Sequence, residues 1–401
     1  MLGMDTDAIS ELGPVAVVGA GTMGAGIAQV AAAAGHPVVL VDALAGAAQA
    51  ALDRMRAALD RRVDQGRISK SEATATTDRI RPADSLADLP ECGLVVEAVP
   101  EDLGLKQRLL ADVAETQPPT TILATNTSSL DITTVAEAVP DPERVLGLHF
   151  FNPPPLMRLV EVVHGETTAE AYLAHATALM TAWGKTPVRC TSTPGFIVNR
   201  VARPFYGEAQ RVVEEGLADP ATVDWIFRER GGFRMGPFEL TDLIGQDVNY
   251  AVGASVWEQT GHDPRYAPTE FQRRLVEAGR LGRKTGQGVF SYAAEPGAAV
   301  PKPDLGLAER LSSSPIEADP LGRTLAMLVN EAVDLVHRGE ASADDVDIAM
   351  RLGVNYPKGP IEWGREIGLD LVASHVAALD RAFPGGRYRP SPGLTDGSLD
   401  E

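Results

Sequence analysis

Cysteine is almost missing: the 401 residues hold only Cys92 and Cys190. Two thiols exclude a disulfide scaffold and a cysteine-based zinc or iron–sulfur site, and they fit a reduced cytoplasm. No metal site is expected. Long apolar runs are missing too. None approaches the ~20 residues that span a bilayer, so no membrane segment is expected. Residues 1–13 are acidic and lack an apolar centre, and so do not read as a secretory signal. Basic residues are in deficit, 36 Lys and Arg against 55 Asp and Glu, for a net charge of −19. A field of that sign repels polyanions and argues against a nucleic-acid partner. A small anionic ligand can still be held by local basic groups or helix N-termini.

What is present is a strong alternation. Residues 14–19, 37–42, 94–99, 121–125, 145–150 and 159–163 are short apolar runs that predict strands. An Ala-rich helical stretch at 22–34, with Gly35 suited to its C-terminal cap, follows the first, and a long helical region at 44–65 follows the second. Strands alternating with helices predict an α/β, Rossmann-type doubly wound sheet over residues 1–192. Only residues 151–158, with Pro153, Pro154 and Pro155, separate the last two runs. That is too short for a crossover helix, so the two are expected to pair antiparallel.

From residue 193 the pattern turns helical, and it continues to 292. Residues 293–315 read as a linker, 316–401 as helical again, and the tail after Pro390 as disordered. An internal repeat organises this half. Glu208, Gly216, Val223-Asp224, Gly236-Pro237, Glu239, Gly245 and Asp247 recur as Glu331, Gly339, Val346-Asp347, Gly359-Pro360, Glu362, Gly368 and Asp370, always 123 residues on (208 to 331, 247 to 370). A shared Gly-Pro-x-Glu in constant register predicts two all-α domains related by duplication, not a solenoid.

Chemistry is concentrated in a few motifs. Gly19-Ala-Gly21-Thr22-Met23-Gly24 follows a strand and opens a helix, the context that gives this pattern meaning. Gly19 permits the turn, Gly21 lets a pyrophosphate approach the backbone, and Gly24 lets helix and strand pack closely. Asp42 ends the second strand, where a carboxylate binds the ribose 2′-hydroxyl and repels a 2′-phosphate. No arginine follows it directly, so NAD is expected over NADP. His149 and Glu161 fall on the two antiparallel runs, within reach of one another across the proline turn. A carboxylate on one ring nitrogen fixes the tautomer and raises the basicity of the other, as alcohol oxidation requires; a satisfied core histidine is the alternative. Asn126-Thr127-Ser128-Ser129 follows a strand, where ligands bind in such sheets, although a helix N-cap is also open there. Asn199 is a helical amide suited to an interdomain cleft or to a structural role. Arg54, Arg56, Arg61, Arg62, Arg67 and Lys70 form a basic island against only Asp60 and Asp64, either a phosphate-binding patch or a solvated helix face.

Taken together the chain resembles the L-3-hydroxyacyl-CoA dehydrogenase family. The likeness rests on Val-Val-Gly-Ala-Gly-Thr-Met-Gly at 17–24, Val-Glu-Ala-Val-Pro-Glu at 96–101, Thr-Asn-Thr-Ser-Ser-Leu at 125–130, Gly-Leu-His-Phe-Phe-Asn-Pro-Pro at 147–154, Pro-Gly-Phe-Ile-Val-Asn-Arg at 194–200 and Leu-Gly-Arg-Lys-Thr-Gly-Gln-Gly at 281–288. It implies an NAD-dependent oxidoreductase that interconverts (S)-3-hydroxyacyl-CoA and 3-ketoacyl-CoA, with a short acyl chain such as 3-hydroxybutyryl. It implies that His149 is the acid–base group and that Glu161 orients it. Ser128, Asn126 and Asn199 would bind the substrate, with Ser128 and Asn199 at the reacting end. Asp42 would bind the adenosine ribose, with Glu101, Lys106 and Lys284 on the cofactor. The family's CoA phosphates fall near 54–70. Family members with one helical domain pair through it, so the second copy here implies either a monomer with an internal pseudo-dimer or a homodimer. That copy has Gly322 where the first has Asn199, and is expected to be structural.

Related chemistries fit less well. Dehydrogenases of the 3-hydroxyisobutyrate type need a lysine four residues before the helical asparagine, and position 195 is glycine. A gulonate-type enzyme shares the His–Glu pair, but the Phe-Phe after His149 suits acyl-CoA. A carrier-protein thioester stays open as the alternative substrate.

Overall fold

The computed structural model describes residues 13–292 and 301–396. Its contacts divide the chain into two compact units, Met1–Thr193 and Pro194–Glu401.

The first unit is a single eight-stranded sheet in the order β3-β2-β1-β4-β5-β6-β7-β8. Its strands are β1 Val15–Val18, β2 Val38–Val41, β3 Ile80–Ala83, β4 Leu94–Glu97, β5 Ile122–Thr125, β6 Val145–Phe150, β7 Leu159–His164 and β8 Thr186–Thr191. Strands β1 to β6 run parallel, β6 and β7 pair antiparallel, and β7 and β8 are again parallel. The strands in the middle are buried on both faces, which explains their unbroken Val, Leu and Ile runs. Helices α1 Thr22–Ala33, α2 Ala47–Asp64, α3 Lys70–Asp78, α4 Leu103–Thr116, α5 Ile132–Ala136 and α6 Glu170–Ala182 connect them. One core joins α1, α2 and α6 to the sheet through Ile27, Leu52, Val96, Leu148 and Leu179.

The second unit is helical: α7 Val198–Val201, α8 Arg203–Glu214, α9 Pro220–Glu229, α10 Pro237–Ile244, α11 Gln246–Gln259, α12 Glu270–Glu277, α13 Leu305–Leu311, α14 Pro320–His337, α15 Ala343–Gly353, α16 Pro360–Ile367 and α17 Leu369–Ala382. The duplication is visible in the element bounds. Helices α10 and α16, and likewise α11 and α17, begin and end at matching repeat positions. Asp224 accepts the backbone N–H groups of Phe238 and Glu239 at the start of α10, and Asp347 accepts those of Ile361 and Glu362 at the start of α16. The same side chain therefore caps the same helix in each copy.

The two copies form one body instead of two separate domains. α8 and α14 lie against each other, joined by buried pairs that cross between copies: Arg200 and Arg265 to Glu331, and Arg323 and Arg387 to Glu208.

Two readings of this half need correction. The expected linker at 293–315 is not all linker. Residues 293–300 lie outside the described residues, but α13 occupies 305–311 and buries Ala308 and Leu311. Asp304 caps it, and the Asp304 N–H donates to the Thr222 hydroxyl at 2.8 Å. The tail is also not disordered up to 396. Asn330 accepts the Ser391 N–H at 2.7 Å, and Leu394 is buried. Residues 397–401 lie outside the described residues.

Candidate active site

The carboxyl ends of β1, β2, β4, β5 and β6 share one edge of the sheet, and the loops leaving them are stitched together. The Gly19 N–H donates to Val41 O, Ala98 N–H to Val18 O, Asn126 N–H to Glu97 O, and Phe150 N–H to the Asn126 side chain. Ligands of such sheets bind at this edge.

The glycine loop is shaped by contact. Gly19 has φ 105°, and a Cβ on it would meet Ala98 O at 2.5 Å; one on Gly24 would meet Gly19 O at 1.8 Å. At Gly21 a Cβ would meet nothing within 4 Å, so that side of the turn is open. Helix α1 starts there with no side-chain cap and no acidic residue in its first turn. Its first amides, at Thr22, Met23 and Gly24, suit a pyrophosphate. Asp42 lies beside the loop, accepting the Ala20 N–H at 2.7 Å and the Leu44 N–H at 2.9 Å. Those bonds fix its carboxylate next to the turn, where a ribose would follow the phosphates.

A second cluster forms around Glu101. Its Oε1 accepts the Thr127 hydroxyl at 2.5 Å, the Ser128 N–H at 3.0 Å, and the Ser129 hydroxyl at 2.9 Å. Burial pushes the Glu101 carboxyl up, but the Thr127 bond, the Lys106 ammonium and the Ser129 and Ser128 bonds outweigh it and hold it below the usual range. Lys106 lies beneath, 1% exposed, with its ammonium on both Glu97 oxygens at 2.8 and 3.0 Å and on Val99 O at 3.2 Å. It also pairs with Glu101 at 3.3 Å. The geometry makes Lys106 the anchor of the Glu101 loop. One member of this cluster was not among the sequence candidates: Glu97, buried and accepting from Thr125 at 2.6 Å. The signal for Glu97 was a carboxylate ending an otherwise apolar strand. The helix cap considered for 126–129 falls instead to Asp131, which accepts the Thr133 and Thr134 N–H groups at the start of α5.

The third element is the His–Glu pair. In the β6–β7 ladder His149 is directly opposite Glu161. Nδ1 of His149 is 2.5 Å from Oε2 of Glu161, with Glu161 0% and His149 7% exposed. An ionised carboxylate only accepts, so Nδ1 carries the hydrogen and donates. The Phe151 ring packs 4.6 Å from the imidazole centroid. Lys185 fixes the proline turn between the strands by donating to Pro154 O and Met157 O at 2.5 and 2.8 Å.

The helical unit supplies the remaining candidates. Asn199 lies on α7, preceded by a turn in which Gly195 and the buried Phe196 have φ 81° and 48°. A phenylalanine held in the left-handed region is strained, and it sets where α7 begins. Lys284 donates to both Asp247 oxygens at 2.6 and 2.7 Å. The basic island lies on and after α2; Arg54, Arg56, Arg61, Arg67 and Lys70 are exposed and Arg62 is half-buried. Among the described residues no group of three or more His, Cys, Asp or Glu side chains is placed to hold a metal ion, and no helix is long and apolar enough to cross a membrane.

The 3-hydroxyacyl-CoA dehydrogenase NAD-binding domain model matches residues 14–193. The 3-hydroxyacyl-CoA dehydrogenase C-terminal domain model matches twice, over 195–292 and 321–396. The chain belongs to the 3-hydroxyacyl-CoA dehydrogenase family. A 3-hydroxyadipyl-CoA dehydrogenase of Escherichia coli K12 is 41% identical, covering 94% of this chain and 95% of the relative. A 3-hydroxybutyryl-CoA dehydrogenase of Mycobacterium tuberculosis H37Rv is 38% identical, covering 72% of this chain and all of the relative. The crystal structure of a 3-hydroxybutyryl-CoA dehydrogenase from Escherichia coli K12 matches with a TM-score of 0.89 at 40% identity, covering 97% of this chain and 99% of that one. The activity is that of an NAD-dependent oxidoreductase acting on 3-hydroxyacyl-CoA thioesters. The shorter relative is matched over its full length by 72% of this chain.

Proposed function

We propose that His149 is the proton-transferring group of this reaction and that Glu161 positions it. The registered His149–Glu161 contact at the ligand-binding edge of the sheet carries the reading. With Nδ1 donating to Glu161, the chemistry falls to Nε2, which removes the 3-hydroxyl proton in oxidation and returns it in reduction. NAD, when bound, would supply the hydride acceptor for C3 in oxidation and, as NADH, the donor in reduction. Gly19, Gly21, Thr22, Met23, Gly24 and Asp42 hold its adenosine diphosphate half, Glu101, with Lys106 behind it, serves the nicotinamide side, and Lys284 contacts the cofactor. Ser128 and Asn199 donate to the substrate oxygen as its charge grows, and Asn126 keeps the Ser128 loop tied to β6. The CoA phosphates fall to the arginines around α2.

The substrate is a short acyl thioester of four to six carbons, as the names of the relatives suggest, and the enzyme works in the cytoplasm. The second helical copy is structural. It takes the place of a partner subunit, so the chain is a monomer in solution. NADH oxidation with acetoacetyl-CoA and longer 3-ketoacyl-CoAs tests the assignment. Turnover of the same acyl groups only on a carrier protein would refute it.

A further inference from the structure

The helical unit sets its buried arginines against carboxylates. Arg200 and Arg265 share Glu331, and Arg323 and Arg387 share Glu208. Arg203 breaks this pattern. It is half-buried at the start of α8, its Nε donates to the Asn199 carbonyl at 2.7 Å, and a terminal nitrogen reaches the Asn249 carbonyl at 3.3 Å. The guanidinium stands 5.2 Å from the Tyr206 ring centroid. Among the described residues no carboxylate pairs with it.

Carbonyls and an aromatic ring offset only part of the cost of taking a guanidinium out of water. The electrostatics reflect this. Burial, opposed only by Tyr206 and Tyr356, holds Arg203 below the ordinary arginine range. Burial acts the same way on Arg265 and Arg323, but Glu331 and Glu208 outweigh it and hold those two above the range.

The surroundings leave room for an incoming group. A cleft of about 30 Å³ is lined by Arg203, Tyr206, Asn249, Tyr250, Gly253 and Gln272 among others. That exceeds the ~10–15 Å³ needed for one water. A Cβ on Gly253 would stand 3.6 Å from the Arg203 guanidinium, so a glycine there leaves that flank uncovered.

We propose that Arg203 receives the terminal carboxylate of a dicarboxylic acyl thioester and so selects acyl chains that end in a charge over those that end in a methyl. The inference rests on the reading of Asn199 as a donor at the reacting carbon. Arg203 opens α8 four residues after Asn199, which lies on α7, and its Nε bond to the Asn199 carbonyl holds the two residues side by side. From C3 of a six-carbon chain, three C–C bonds of ~1.5 Å lead to the terminal carboxyl carbon, whose oxygens reach a little farther. A chain of that length can extend from a carbon at Asn199 to a neighbouring side chain. The planar fork of a guanidinium also matches a carboxylate. A methyl-ended chain of equal length would leave the charge buried and unpaired, which turns attraction for one substrate into rejection of the other.

The test uses the full-length enzyme with NADH and two six-carbon substrates, the 3-keto CoA ester of the diacid and that of the monoacid. The wild type should favour the diacid ester by about 10- to 100-fold in kcat/KM, the span of one charged hydrogen-bonding contact. Arg203→Leu should bring the ratio to about one or below, and Arg203→Lys should keep part of the preference. A wild type without preference overturns the proposal. So does Arg203→Leu lowering both rates by the same factor, as expected if Arg203 only ties Asn199 to Asn249. If the leucine variant does not fold, the wild-type ratio and the lysine variant decide. Absence of turnover with both esters overturns the dehydrogenase assignment itself, whereas equal turnover overturns only the role of Arg203.

Discussion

Arg200 and Glu331 are 2.5 Å apart although 131 residues separate them. The same contact exists a second time with the copies exchanged, between Arg323 and Glu208 at 2.7 Å. Tyr266 donates to Glu331 at 2.5 Å, and Tyr388 donates to Glu208 at 2.7 Å. Each copy gives an arginine and receives one, the pattern of an isologous twofold contact. Here it lies within one chain.

Arg323→Met leaves Glu208 buried with one of its two ion-pair partners gone. Removing one partner of a buried pair costs about 3–5 kcal/mol. For a unit of this size, Tm should fall by ~6–20 °C. Calorimetry showing a change under 1 °C would mean that the cross-copy pairs contribute nothing to stability.

Acid should weaken the helical unit through the same glutamate. Burial pushes the Glu208 carboxyl up, but Arg387, Arg323, Arg211 and the Tyr388 bond outweigh it and bring it to about 2. The folded state therefore holds this proton more weakly than the unfolded state. The stabilisation is fully present above the ordinary carboxylate value and is lost as pH falls from ~4.5 toward 2, by about 3 kcal/mol in all. Urea midpoints measured from pH 7 to pH 3 should drop in that window, and Glu208→Gln should flatten the drop from a lower starting stability.

His149→Ala should reduce kcat by about 10²–10⁴-fold with the fold retained, the usual span for a positioned acid–base group. Glu161→Gln should reduce it less, since the imidazole remains. Steady-state rates with acetoacetyl-CoA decide this; a His149 variant within threefold of wild type would remove that residue from its role.

If Asp42 has its proposed role, Asp42→Ala should weaken NADH binding and narrow the gap between NAD and NADP, since a carboxylate there accepts the ribose hydroxyl and repels a 2′-phosphate. It also releases the Ala20 and Leu44 amides that Asp42 holds. Fluorescence titration with NADH and NADPH should show the ratio shift. An unchanged ratio would place the ribose elsewhere.

Gly322→Asn restores the amide that the second copy lacks. A Cβ at that position would stand 2.4 Å from an Asp319 oxygen, so the change should lower Tm without raising kcat. A faster variant would mean that the second copy takes part in chemistry.

Much of this could be read in the sequence, and the gaps have physical causes. The six apolar runs became strands because central parallel strands are buried on both faces. β3 and β8 escaped notice because they are the two edges of the sheet. Both carry an arginine and a proline, in Ile80-Arg-Pro-Ala and Thr186-Pro-Val-Arg-Cys-Thr, which an edge tolerates and a centre does not. His149 and Glu161 were legible because a short turn between antiparallel strands sets their register. The Glu97–Lys106–Glu101 cluster was less so, since it depends on how α4 packs back on β4 and β5. Arg203 was invisible for a different reason: its meaning is the absence of a partner. The tail misled through its Ser, Pro and Gly content, while the anchor for Ser391 lies far upstream at Asn330.

The tethered twofold contact has a consequence for how the molecule can change. In a homodimer every substitution at such a contact is made twice, and each must be tolerated in both places at once. Here a substitution occurs once. Gly322 can stand opposite Asn199, and Arg365 can occupy the position of Asp242, without altering the sister position. Nor can the two halves be parted by dilution, because each is held at a fixed local concentration by the other. One copy is thus free to keep an asparagine that the other has replaced.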